Sequence, residues 1–455
     1  MASRMKPWPH QEAAVAWLLA RLYGFLAHEM GVGKTLTALL ATAGCRNTLV
    51  VCPIAVAAAW KHQVALSGDP RVVCLVAEGS AARRAERIRE AIASGEPTIV
   101  VINYDSVWRP ELAKLIAGTQ WDAIVLDESH RIKSHTGKAS KFLCKLAERQ
   151  PQSKRICLSG TPTPKDPLDW YAQLRFLNPE ILGCSYPAFR ARIANTHPRY
   201  PGWVTNFKPE GLDALRERID QHVHRVKSDD VLDLPEAIHT PIEVSITGKT
   251  RKFYDDLEQD MIAFIDGEPV TAANQLVVVS RLRTAAGGYS RVDGGSEFQL
   301  IDGTPAKSLV FADWLEDFPQ GTPLVVFCSF VRDIEEVVSQ CRKSGRSVSQ
   351  LRGGINQLAD WQGGLTDVIV IQQQSGGAGI DCTRASHCVY YSIGHSLGDY
   401  EQSLARLRRP GQQHTCHYYH LVVRNTVEET IYQALQDKRD VVEEVLSRLQ
   451  RRVAS

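Results

Sequence analysis

The sequence predicts an α/β protein of two lobes, each a mostly parallel sheet covered by helices, on three observations. A short apolar run followed by a longer segment of helical spacing repeats between residues 22 and 177. The same alternation returns after residue 306, and 455 residues exceed what one ordinary core encloses. Short buried strands that alternate with helices specify parallel pairing with both faces covered, because each connection must cross back over the sheet.

In the first repeat the strand candidates are Tyr23–Leu26, Thr48–Cys52, Val72–Val76, Thr98–Ile102, Ala123–Leu126 and Arg155–Leu158, with helical spacing over Ala81–Ala93 and Lys138–Glu148. In the second they are Leu324–Cys328, Val348–Leu351, Asp367–Ile371, His387–Tyr391 and Cys416–Val422, with a helix over Val331–Lys343. Between them the pattern changes to proline and glycine clusters and two charged helical stretches, Leu212–Val226 and Thr250–Ile265. These read as helical insertions and a hinge. The expected division is therefore 1–238, 239–306 and 307–455, with a long amphipathic helix over Thr426–Leu449.

The composition, 44% hydrophobic and 23% charged, is that of a globular chain, and a net charge of +2 offers no bulk attraction to nucleic acid. Any such partner must be held by local charge. Eleven scattered cysteines without a CxxC pair fit reduced core thiols, and no apolar run is long enough for a bilayer, so a cytoplasmic protein without a membrane partner is expected.

The strongest local signal is Glu29-Met30-Gly31-Val32-Gly33-Lys34-Thr35, between an apolar strand and a helix. Glycines let backbone amides wrap a phosphate, and the helix N-terminus adds a favourable dipole. Lys34 is placed to neutralise the β- and γ-phosphates, and the Thr35 hydroxyl to bind Mg²⁺. His28 occupies the position of the first glycine of the general pattern. Downstream, Asp127-Glu128-Ser129-His130 follows a buried strand. Asp127 there can hold Mg²⁺ through water, and Glu128 can orient and deprotonate the attacking water. Gln11, just upstream of the loop, carries an amide able to read an adenine edge.

With these motifs in order, the chain resembles superfamily 2 helicases and, within them, the SNF2 group. The Glu29–Thr35 run resembles motif I, Val50-Val51-Cys52-Pro53 with Trp60 motif Ia, and Val101–Tyr104 the Ib region. Asp127–His130 resembles motif II, with Ser129 where alanine or glycine is usual, and Leu158-Ser159-Gly160-Thr161-Pro162 with Leu177-Asn178-Pro179 resembles motif III. Val325–Phe330, Ser375–Asp381 and Gln402–Gln412 are similar to motifs IV, V and VI. The match runs across nearly the whole chain and resembles compact bacterial and bacteriophage members.

The resemblance implies two RecA-like lobes and the use of ATP with Mg²⁺. It implies that Arg406 and Arg409, three apart on a predicted helix, act as arginine fingers, which are worth roughly 10³–10⁵ in rate. Arg408 is expected to face away from them and into solvent. Asp381 would touch ATP or an arginine, and Thr161 would couple nucleotide state to the nucleic-acid side. Expected nucleic-acid contacts are Pro53, Asn103, Tyr104, Arg131 and Lys133 in the first lobe. In the second they are Ser329, Arg352, Ser375 and Arg384, mostly toward phosphates.

The reading is a monomeric, DNA-stimulated ATPase that moves along duplex DNA by lobe closure. Its alternatives are a strand-separating or annealing helicase on forks or RNA, and an ATP-liganded scaffold that binds nucleic acid without hydrolysis. The stretch 180–305 is the expected carrier of any protein partner.

Overall fold

The computed structural model describes all residues except 1–5, 77–78, 163–166, 198–203, 268–271, 292–297, 374–379 and 454–455. It divides into two compact units, Met1–Asp233 and Leu234–Ser455.

The first unit contains β1 (Tyr23–His28), β2 (Asn47–Cys52), β3 (Val72–Val76), β4 (Thr98–Asn103), β5 (Ala123–Asp127), β6 (Lys154–Leu158), β7 (Ala194–Thr196), β8 (Val204–Phe207) and β9 (Val223–Val226). Among the described residues, seven of these form one sheet in the order β3-β4-β2-β5-β6-β1-β9, and its pairs are parallel. All six residues of β4 and all five of β5 are buried, which is why these strands read as unbroken apolar runs. Pleating divides β2 between the two faces. Leu49 and Val51 enter one core cluster, and Val50 and Cys52 enter the other with Trp60.

In the second unit lie β10 (Ala237–Val244), β11 (Tyr289–Arg291), β12 (Phe298–Leu300), β13 (Leu324–Cys328), β14 (Val348–Arg352), β15 (Ile355–Asn356), β16 (Val368–Gln372), β17 (His387–Tyr390) and β18 (Cys416–Val423). Its main sheet runs β10-β18-β17-β13-β16-β14-β15, parallel except for the short β14–β15 pair. The helix Val331–Lys343 buries Ile334, Val337, Val338 and Cys341 along one face, as its spacing requires, and buries Asp333 in its first turn as well. All eleven cysteines are free thiols.

The structure differs from the sequence expectation at three places. The stretch Leu212–Val226 is not one helix: a helix spans Pro209–Asp220, and Val223–Val226 is the strand β9 beside β1. Two valines three apart suit a helix face equally well, so only the pairing with β1 decides. Likewise β10 pairs over eight residues with β18, so residues 239–306 lie within the second unit. The C-terminal stretch is two helices, Val427–Gln436 and Val441–Val453. Lys438 breaks them with φ 55°, while the Arg439 amide donates to the Ala434 carbonyl. A left-handed stop on lysine carries no glycine signal.

Candidate active site

The turn after β1 is built for close backbone approach. Gly31 and Gly33 have φ of 82° and 77°, and the helix Lys34–Ala41 starts from Gly33 in the left-handed region. Lys34 Nζ donates to the carbonyls of His28 and Glu29, at 2.7 and 2.8 Å. The glycine loop is also clamped. Gln11 Nε2 donates to the Gly33 carbonyl at 3.0 Å, and Gln11 Oε1 accepts from the Trp8 amide at 2.8 Å. Gln11 is buried, and a Cβ on Gly33 would collide with its amide. Both ends of the Gln11 amide thus hold the chain's own backbone beside the glycine loop.

Two strands along the same sheet edge, β5 ends in Asp127. Its Oδ2 accepts from Trp60 Nε1 at 2.8 Å, its Oδ1 accepts from the Glu128 amide at 3.0 Å, and its carbonyl accepts from Tyr104 Oη at 2.8 Å. Burial first, and the Glu128 charge second, push the Asp127 pKa up to about 6, while Trp60 and Lys34 act to lower it. A buried carboxylate crowded by another favours a cation beside it. Thr35 and Asp127 offer the hard oxygen donors that Mg²⁺ takes alongside phosphates, so the residues fit the metal. Glu128 sits at φ 53° and ψ 53°.

His130 links the acid pair to the next loop. Its Nδ1 lies 3.4 Å from Glu128 Oε2 and 3.1 Å from Ser159 Oγ, which accepts the Thr161 amide at 3.1 Å. Burial, with Arg131 and Lys133 nearby, depresses the His130 pKa to about 4, so the ring is neutral near pH 7. Met30 packs on this loop as well, for a Cβ at Gly160 would lie 2.7 Å from its Cε.

Sequence reasoning missed several supports. Trp60 and Tyr104 position Asp127, and Gln173 joins motif II to the loop after it. Glu29 Oε2 accepts from the Ser228 amide and hydroxyl at 2.9 and 2.7 Å. A tryptophan or glutamine in an apolar helix carries no local sign of a distant acceptor.

In the second unit the helix Leu397–Leu404 ends before Arg406 and Arg409, which lie in the turns beyond it. The expectation of a helix carrying both is thus corrected. The cause lies in local bonding: the Arg406 amide donates to Ser403 O and the Arg409 amide to Leu407 O, a tight succession of turns. Arg409 reaches the Ile380 carbonyl at 3.2 Å and lies 3.8 Å from Asp381 Oδ2. Arg408 is not a solvated bystander either, because its Nε donates to the Pro235 carbonyl at 2.8 Å.

The nominated nucleic-acid contacts divide. Arg131 is exposed, and Pro53, Lys133, Ser329 and Arg352 are partly so; Lys133 lies 3.6 Å from Asp169. Asn103 and Tyr104 are buried, so their nomination as surface contacts is corrected. Arg384 stacks over Trp361 at 5.2 Å and donates to the Trp361 and Thr366 carbonyls, which commits it to the fold. Ser375, with most of its glycine-rich stretch, lies outside the described residues.

Comparison with known proteins identifies the family. The SNF2-related domain family matches residues 10–286. Protein p41 of Acyrthosiphon pisum secondary endosymbiont phage 1 is 26% identical over 98% of this chain and 99% of its own length. The ISWI chromatin-remodeling complex ATPase ISW1 of Saccharomyces cerevisiae is 23% identical over 94% of this chain, which spans 40% of that protein. A SWI2/SNF2 ATPase core of Sulfolobus solfataricus, solved in complex with dsDNA, aligns with 99% of this chain and 94% of its own. It does so at 21% identity and a TM-score of 0.46. With a family match over more than half its length and the motifs of that family set at the ends of its strands, this chain belongs to the SNF2-related domain family and forms an ATPase core of the helicase type.

Proposed function

We propose that the protein is a nucleic-acid-stimulated ATPase that moves along duplex DNA. One observation carries the reading: a lysine on loop carbonyls and an Asp–Glu pair whose aspartate is buried meet at one sheet edge, close enough for Lys34 to lower the Asp127 pKa. Lys34 and the glycine-loop amides bind the β- and γ-phosphates of ATP. Glu128 orients the attacking water and takes its proton, and Asp127 with Thr35 holds Mg²⁺, which when bound neutralises charge on the phosphates. Arg406 and Arg409, on the second unit, are the proposed arginine fingers, and Arg409 lies 3.8 Å from Asp381.

Duplex DNA is the proposed track, touched through phosphates by Pro53, Arg131, Lys133, Ser329 and Arg352. Membership of the SNF2-related domain family and the likeness to a chromatin-remodeling ATPase support this choice of substrate. The test is ATP turnover without nucleic acid and with single-stranded DNA, duplex DNA and RNA, alongside Arg409→Ala. Duplex-selective stimulation, lost in Arg409→Ala by about 10³-fold or more, is the expected outcome. Equal turnover in all four conditions removes the DNA motor, and no turnover in any leaves an ATP-liganded scaffold.

A further inference from the structure

Gln173, in the helix Trp170–Leu177, is fully buried, as is Ser129. Gln173 Oε1 accepts from Ser129 Oγ at 2.8 Å, while its Nε2 donates to the carbonyls of Pro162 at 2.7 Å and Asp169 at 2.8 Å. Both amide hydrogens and the carbonyl oxygen are therefore used. One side chain ties the turn after the acid pair to the end of the Ser159–Pro162 loop and to the start of its own helix.

The residue before Ser129 is Glu128, a non-glycine residue at φ 53°. A side chain with a Cβ stays in that region only when its surroundings hold it there. Two side-chain ties join this turn to other segments, beside the local bonds of the Glu128 amide to Asp127 Oδ1 and of the Arg131 amide to the Glu128 carbonyl. One is His130 with Ser159 Oγ, on the far side of Ser129; the other is Ser129 with Gln173, adjacent to the strained residue itself. Releasing the second lets the Glu128 backbone relax and swings its carboxylate. A misplacement of about 1 Å costs roughly 10²-fold in rate.

We propose that Gln173 is a positioning residue for ATP hydrolysis, acting through Ser129 to hold the Glu128 carboxylate against the attacking water. The inference rests on the ATPase reading above. It concerns the hydrolytic step and not nucleotide binding, because Gln173 touches neither the glycine loop nor Lys34 through any of its three bonds.

The test uses the full chain with saturating duplex DNA and compares wild type, Ser129→Ala, Gln173→Leu, the double variant and Gln173→Glu. Steady-state kcat and KM for ATP are measured beside the affinity for a fluorescent ATP analogue. Gln173→Leu is expected to lower kcat about 10-fold or more, with KM and analogue affinity within about 2-fold of wild type. Ser129→Ala should lower kcat in the same sense, and the double variant should be no worse than Gln173→Leu alone. Gln173→Glu keeps the acceptor for Ser129 and, being buried, regains a donor as it protonates, so its kcat should recover as pH falls.

Unchanged kcat in Ser129→Ala and Gln173→Leu, or effects that multiply in the double variant, overturns the proposal. A lower melting temperature at unchanged kcat does so too, as a purely structural role would give. If Gln173→Leu does not fold, Ser129→Ala and Gln173→Glu carry the same decision. The wild-type arm separates the two readings. Wild type that binds the analogue without turnover ends both, whereas wild type that turns over beside equally active variants ends this one alone.

Discussion

The two units share one architecture and use charge in opposite ways. In the first, Lys34 donates to two carbonyls, and Asp127 is buried and crowded by the Glu128 charge. In the second, the buried lysine is Lys307, whose Nζ donates to the Glu428 carboxylate at 2.7 Å and to the Tyr391 carbonyl at 3.0 Å. Lys307 and Glu428 cancel each other inside the core, and Arg283 donates to the Ile393 carbonyl nearby. The Lys307–Glu428 pair is matched within the core, whereas the buried Asp127 is crowded by a like charge, which suits it to a cation.

The largest expected effects put that contrast at risk. Lys34→Ala should cut ATP turnover by about 10²–10³-fold and leave stability nearly unchanged, since two carbonyls lose only one donor. Lys307→Met should do the reverse. It leaves Glu428 buried without its partner and should destabilise the second unit by about 3–5 kcal/mol. Urea unfolding followed beside turnover distinguishes the two, and equal destabilisation by both changes breaks the comparison.

Next in size is Glu128→Gln, expected to lower turnover about 10²-fold while stabilising the first unit. Asp127 has a folded pKa of about 6, above an unfolded value of about 3.9. Across that window the native state binds more protons than the unfolded chain, so Asp127 costs stability as pH rises, in full above its folded pKa. Removing the Glu128 charge reduces that cost by about 1 kcal/mol at alkaline pH, and the gain should vanish near pH 3.5. Melting curves of variant and wild type at both pH values decide; a gain independent of pH refutes this account of the pair.

A further effect is one the units share. His28 in β1 and His420 in β18 are fully buried, and burial above all lowers both pKa values to about 3. An unfolded histidine near 6.5 takes up protons that the native ring refuses, so stability is lost as pH falls below that value, by about 2 kcal/mol each at pH 5. Hydrogen exchange at pH 7 and pH 5 should show β1 and β18 losing protection together. Loss at one alone would mean that the units differ in acid response as well as in charge pairing.

Much of this was legible in sequence because it rests on local chemistry. Gly31, Gly33, Lys34 and Thr35 declare a phosphate loop by type and spacing, and the runs ending in Asp127 and Cys328 declare buried parallel strands. What was not legible depends on a partner far along the chain. Tyr104 reads as a strand-end contact, yet its hydroxyl is spent on the Asp127 carbonyl. Gln11 reads as a base reader, and only the fold shows that its amide grips Gly33. Arg384 reads as a phosphate ligand, yet Trp361 and two carbonyls occupy it. A polar side chain near a site shows in sequence what it can bond, and only packing shows what it does bond.

By itself the sequence determined the α/β class, the order of the motifs and the presence of residue types suited to phosphate and water. These follow from periodicity and from the chemistry of single side chains. Tertiary structure alone decided that Val223–Val226 is a strand, that Arg406 and Arg409 follow a helix rather than ride on one, and that Trp60, Tyr104 and Gln173 brace the acid pair. Each of these turns on a hydrogen bond or strand pairing set by the packed fold, whose free energy no window of sequence contains.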